Sequence, residues 1–169
     1  MSDTFIASTP LLLHAFQVDD PSVTTLCEKF EERRGTYNHA WNAPNYVLSR
    51  YVAGASATTV AWSEYQVLST LAHLTSVAHV TSSVKGDITI DIQKDDGTCS
   101  MKLVSPESTV AIIGIPKASI EPTSITANGT VIWKDGSFTG GAEGITDAGS
   151  DDGYIKFKVA AGSWELEAR

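Results

Sequence analysis

Residues 87–116 read DITIDIQKDDGTCSMKLVSPESTVAIIGIP. Ile88, Ile90 and Ile92 alternate with Asp87, Thr89 and Asp91. A period of two puts the isoleucines on one face and the polar residues on the other, so the run predicts a half-buried strand. Asp96-Gly97 is a hairpin signal, because glycine accepts the positive φ that a tight turn demands. Cys99, Met101 and Leu103 then resume the alternation on a returning strand, and Val110–Ile115 reads as a fully buried strand closed by Pro116.

The pattern continues downstream. Asn128-Gly129 separates Ile125 from Val131-Ile132-Trp133 as a second hairpin tip. Tyr154, Phe157 and Val159 open a last hairpin, with Ala161-Gly162 at its turn and Trp164-Glu165-Leu166 returning. Short strands punctuated at regular spacing predict a mainly β fold, an antiparallel β-sandwich of about eight strands. The acidic, glycine-rich stretch from Asp135 to Gly153 reads as a long loop. Asp147, Asp151 and Asp152 within it lack the ligand spacing of a calcium loop. The sequon Asn128-Gly129-Thr130 falls on a hairpin tip, and the turn accounts for its Asn-Gly without a glycan.

Residues 1–56 read differently, as a helical and loop-rich segment packed with the sandwich of residues 57–169 into one unit. Pro10 can open a helix over Leu11–Gln17, and Asn42-Ala43-Pro44 can start another through Val47, Leu48 and Tyr51 that ends at Gly54.

With 169 residues the chain can bury one real core. A net charge of −8 lacks the basic footprint of a nucleic-acid binder. Cys27 and Cys99 show no paired metal or disulfide spacing and read as free thiols. His14, His73 and His79 read as structural or surface residues, and no metal or cofactor is expected. The N-terminal sixteen residues carry no basic n-region, and the apolar run Leu11–Leu13 is too short for a signal peptide or a membrane span. A soluble, cytoplasmic protein without membrane or nucleic-acid partners is the expectation.

Residues 19–54 concentrate the chemistry: Thr24-Thr25-Leu26-Cys27-Glu28, then Thr36-Tyr37-Asn38-His39-Ala40-Trp41, then Leu48-Ser49-Arg50-Tyr51-Val52-Ala53-Gly54. A carboxylate, an imidazole and an aromatic platform in close succession suit a sugar site. The stretch resembles the last part of the catalytic barrel of bacterial and fungal α-L-rhamnosidases, inverting glycoside hydrolases whose motif there is Thr-Thr-hydrophobic-Trp-Glu followed by Asn-His-x-Trp. The resemblance runs on through Val84-Lys85-Gly86-Asp87-Ile88 into the β-rich tail. It implies the end of an (α/α)6 barrel joined to a C-terminal β-sandwich. It also implies that Glu28 corresponds to the general base and that His39 and Trp41 line the sugar pocket; Glu28 and His39 are the candidate catalytic residues here, and Tyr37, Asn38 and Trp41 the candidate substrate-binding ones.

Two departures shape the functional expectation. Cys27 stands where the family has tryptophan, and Lys29–Arg34 replaces its glycine-rich gap. Inverting hydrolysis needs a second carboxyl group roughly 6.5–9.5 Å from the base. The family's general acid lies in an earlier part of the barrel that these residues do not contain, so rhamnoside hydrolysis by this chain alone is not expected. The leading expectation is a glycosidase-derived domain that binds a carbohydrate or glycoside-like small molecule. One alternative is a small-molecule isomerase, cyclase or lyase using Glu28 or His39 as a single acid or base. Another is an inactive rhamnosidase fragment. The apolar face around Tyr46, Val47, Leu48 and Tyr51 suggests a homodimer formed through Leu11–Tyr51.

Overall fold

The computed structural model describes residues 4–7 (backbone), 46–118 and 120–169. Among the described residues eleven strands follow in chain order: β1 Thr4–Ala7, β2 Ala55–Ala57, β3 Glu64–Val67, β4 Ser76–Ser83, β5 Gly86–Asp95, β6 Thr98–Pro116, β7 Ser124–Ala127, β8 Thr130–Lys134, β9 Ser137–Phe138, β10 Ile145–Ser150 and β11 Tyr154–Ala168. Helical structure among the described residues is confined to a turn ending in the π-wound Leu48–Val52 and a 3-10 turn at Val60–Trp62. The mainly β, largely antiparallel architecture matches the alternation in the sequence. More than about eight strands form because short pieces add to the edges.

Two strands organise the rest. β6 is 19 residues long and β11 is 15, and they pair antiparallel along nearly their whole length. Their first and second halves belong to different layers. Thr98–Ser105 of β6 and Gly162–Ala168 of β11 sit in a layer that runs β1-β4-β5-β6-β11-β7-β8-β9. Val110–Pro116 and Tyr154–Ala160 sit in a smaller one, flanked by β3 and β2 on one side and β10 on the other. One continuous hydrogen-bonded sheet is thus folded over on itself, and its inner faces share a single core.

The fold-over has a visible cause. Ala160 pairs with Val110 and Gly162 with Ser105, so Ala161 alone opposes the four residues Pro106–Thr109. Such a bulge bends a strand sharply. Ser108 at φ 60° and Gly162 at φ 128° absorb the change of direction. The bend buries hydroxyls, and they satisfy one another in a one-way relay. The Tyr65 phenol donates to Ser105 Oγ at 2.8 Å, and Thr109 Oγ1 donates to the Pro106 carbonyl at 2.6 Å. Thr109 has therefore spent its proton, so Ser105 donates in the 2.8 Å bond between them. Burial pushes the Tyr65 phenol above its ordinary pKa, with the Ser105 bond pulling partly back.

The core follows the alternation. Ile88, Ile90 and Ile92 of β5 and Met101 and Leu103 of β6 are fully buried, as are Ile113 and Phe157 in the smaller layer. Full burial of each such side chain stabilises by about 1.5–3 kcal/mol. Phe138 on β9 meets Phe157 on the first half of β11 with ring centroids 6.1 Å apart, joining the two layers.

Three sequence expectations change. Ala161-Gly162 is the bulge within one continuous β11 rather than a hairpin turn. The Asp135–Gly153 stretch is not one long loop, since it contains β9 and β10. β10 is an edge strand paired to β11 with only Ile145 buried, so its sequence lacks the two-sided apolar signal of a core strand. Thr4–Ala7, inside the segment read as helical and loop-rich, is a strand parallel to β4. The Asp96-Gly97 and Asn128-Gly129 hairpins stand as read, with Asn128 and Gly129 both at positive φ.

The relay predicts a specific mutational signature. Ser105→Ala strands the buried Tyr65 hydroxyl and should cost about 1–3 kcal/mol, whereas Tyr65→Phe should cost about 0.5–1.5 kcal/mol. In urea denaturation the Tyr65→Phe/Ser105→Ala double variant should lose less than the sum of the two. Strict additivity would show that the relay does not act as a unit.

Candidate functional site

Glu28, Tyr37, Asn38, His39 and Trp41 lie outside the described residues, as do Cys27 and the segment Leu11–Gln17. Within the described residues, two concavities remain to be weighed.

The larger, of about 940 Å³, lies on the outer face of the big layer and is lined by Ser76, Asp91, Gln93, Ser100, Glu167 and Arg169 among others. Its described lining holds no aromatic ring and mixes both charge signs. Cys99 borders it, but burial pushes that thiol up to about 11, so it stays protonated and weakly nucleophilic at neutral pH. A broad polar sheet face of this kind has little to orient a ligand.

The smaller concavity, of about 410 Å³, occupies the open seam of the folded sheet, where β2 at the edge of the small layer faces β4 of the large one. The Leu48–Val52 turn contacts both strands. The lining combines Tyr46, Ser49 and Arg50 from that turn, Ser56 from β2, Trp62, and the inward-facing His79 of β4. A pocket of this size with aromatic walls and a few convergent polar groups suits a small ligand.

Each of these side chains is positioned by its local backbone. Ala53 N–H reaches back five residues to the Leu48 carbonyl at 2.9 Å, closing a π turn. Such turns are rare and recur at functional sites. Gly54 at φ 76° ends it, and no side chain fits there: a Cβ would lie 2.2 Å from the Leu68 carbonyl carbon. Ser69, buried, donates to the Val52 carbonyl at 2.7 Å and ties the end of the turn to the core. His79 is 7% exposed and shares a 3.0 Å bond with Ser49 Oγ, fixing the turn to β4. Arg50 lies 5.8 Å from the Tyr46 ring centroid and 5.9 Å from that of Tyr51, within cation–π range of both.

Trp62 is delivered by the loop of the β2–β3 hairpin. Ala61 and Trp62 both sit at φ 58°, a left-handed conformation that costs non-glycine residues of order 1–3 kcal/mol each. The loop holds them there. The Thr59 and Ser63 hydroxyls are 2.8 Å apart, the Glu64 N–H donates to Thr59 Oγ1 at 2.7 Å, and the Val110 N–H donates to the Ser63 carbonyl at 3.0 Å. The indole packs partly on the core, 5.9 Å from the Tyr65 ring centroid. Strain so well supported is a mark of a positioned residue.

No model of a known family matches the sequence, and no curated protein matches it. Solved structures do. The α-L-rhamnosidase of Dictyoglumus thermophilum superposes with a TM-score of 0.65 at 19% identity, over 79% of this chain and 14% of that one. The Streptomyces avermitilis α-L-rhamnosidase complexed with L-rhamnose gives 0.62 at 17% identity, over 83% and 12%. The fold is that of one segment of an α-L-rhamnosidase. The motif at residues 24–41 resembles the same enzymes. This chain spans about one seventh of the length of the first enzyme.

Sequence reading missed the seam. His79 reads as a structural residue, and its bond to Ser49 crosses 30 positions that no local pattern reveals. Trp62 precedes a strand and looks like ordinary core. A usable signal was Tyr46-x-x-x-Arg50-Tyr51, which sets an arginine at i+4 and i−1 to two aromatics. Tyr46, Val47 and Tyr51 are 59%, 46% and 59% exposed, so the described part of the apolar face expected to mediate a dimer is at the surface. No helix among the described residues is long and apolar enough to cross a membrane.

Gly54 should be the least replaceable residue of the seam. Gly54→Ala adds both a left-handed penalty and a backbone collision, and a fall in melting temperature of at least about 5 °C is expected by calorimetry. An unchanged melting temperature would mean that the turn is not anchored against Leu68–Ser69.

Proposed function

We propose that this domain binds carbohydrate, and that the seam pocket is where it does so. The observation that carries the reading is Trp62, held by a strained, internally bonded loop at the wall of a pocket whose other described residues offer hydroxyl, imidazole and guanidinium groups. An apolar ring face beside a few fixed polar groups is what a sugar ring needs, since its C–H surface packs on the indole while its hydroxyls hydrogen-bond. The similarity in fold to α-L-rhamnosidases, one of them solved with L-rhamnose, supports a glycosidase-derived role. Nothing in this reading requires the chain to cleave a glycosidic bond.

Isothermal titration against a panel of neutral and acidic methyl glycosides tests it. Trp62→Ala should weaken binding at least about tenfold, in line with the loss of a central aromatic anchor. Trp62→Phe, which keeps a ring face, should retain most of the affinity and the wild-type melting temperature. Absence of binding to every glycoside at millimolar concentration would overturn the proposal.

A further inference from the structure

We infer that the seam pocket selects a saccharide bearing a ring carboxylate, a uronic acid, and that Arg50 is the residue that reads the acid group. The inference deepens the carbohydrate reading and rests on it.

Charge placement at the seam points to this ligand. The chain carries a net charge of −8, and several of its described basic side chains are already engaged. Lys102 faces Glu165 at 3.1 Å, Lys156 faces Asp151 at 2.5 Å, Lys158 faces Glu64 at 3.7 Å and Arg169 faces Glu167 at 2.9 Å. Arg50 is different. Among the described residues no carboxylate or other acceptor meets its guanidinium; its neighbours are the rings of Tyr46 and Tyr51. Cation–π contact orients a guanidinium without consuming its five N–H donors. The described lining of the pocket contains no aspartate or glutamate. An acidic protein therefore presents, at this one pocket, an arginine with its hydrogen-bonding fork intact.

The shape of the fork names the ligand group. Guanidinium matches a planar carboxylate with two parallel N–H···O bonds, and such charge-assisted pairs are about twice as strong as neutral ones. The walls name the scaffold. Trp62 supplies a face for a ring, and Ser49, Ser56 and Thr81 supply hydroxyls at its edge. A carboxylate on a pyranose ring satisfies both sets of contacts at once. A neutral hexose would leave the fork of Arg50 to water.

The test is titration calorimetry with the methyl glycosides of galacturonic and glucuronic acid. Their methyl esters, the neutral methyl galactoside and glucoside, and cyclohexanecarboxylate serve as matched controls. The acids should bind at least about tenfold more tightly than their esters and neutral counterparts. Arg50→Gln should erase that preference, bringing the acids down to the affinity of their esters, Arg50→Lys should restore part of it, and added salt should weaken the acids alone. Arg50 is exposed, so Arg50→Gln is expected to melt as wild type; if it does not, Arg50→Lys and the salt series carry the test. Equal affinity for acid and ester in wild type overturns the inference and leaves the carbohydrate reading standing. Cyclohexanecarboxylate binding as tightly as the uronates overturns the saccharide assignment and keeps only anion recognition. No binding by any of them overturns both.

Discussion

The hydroxyl relay from Tyr65 through Ser105 and Thr109 to the Pro106 carbonyl sits where one sheet becomes two layers. A fold-over of long strands forces polar side chains and an irregular backbone into the interior, and every such group must find a partner or cost free energy. Here three hydroxyls and one carbonyl close the account with a single directed chain. With the bend fixed, the alternation of β5, β6 and β11 points all their isoleucines, leucines and aromatics into the same space. Without it, the two halves of β6 and β11 would run on within a single sheet layer with no opposing face.

A sheet folded about two central strands has a closed side and an open side. On the open side β2 ends the small layer and faces β4, the neighbour of edge strand β1, without pairing to it, and the Leu48–Val52 turn bridges the two. This geometry creates the pocket: His79 and Thr81 look inward from one lip, Ser56 lies on the other, and Trp62 comes from the loop that continues β2. The pocket is therefore a by-product of topology. Its chemistry comes from what the chain places there, namely two left-handed residues to aim an indole and two tyrosines to hold a guanidinium. The fold is shared with a segment of much larger rhamnosidases.

The parts of this arrangement that were legible in the sequence are those written in local period. Ile88-Thr89-Ile90-Asp91-Ile92 declares its buried face, and Asp96-Gly97 and Asn128-Gly129 declare their turns. The continuity of β6 and β11 was hidden, because Ala161-Gly162 reads as a turn and Pro106–Thr109 falls between two strand patterns, whereas they are the two sides of one bulge. Glycine marks either event, and only the partner strand decides which. β10 was hidden for a related reason: an edge strand with one buried residue has no amphipathic signature. The seam was hidden because it joins residues 46–62 to 79–81 through contacts that local sequence spacing does not encode. Glu28, His39 and Trp41 stand out in the sequence by resemblance to a motif, and they lie outside the described residues.

Ligand recognition is proposed at the seam of the fold and not on its larger outer face. The most direct measurement is a two-dimensional NMR titration of the labelled domain with methyl galacturonoside. The indole N–H of Trp62 and the backbone amides of Ser49, Arg50, Ser56 and His79 should shift in a saturable way, while those of Gln93, Ser100 and Glu167 stay fixed. Saturable shifts confined to Gln93, Ser100 and Glu167, with Trp62 unmoved, would contradict it.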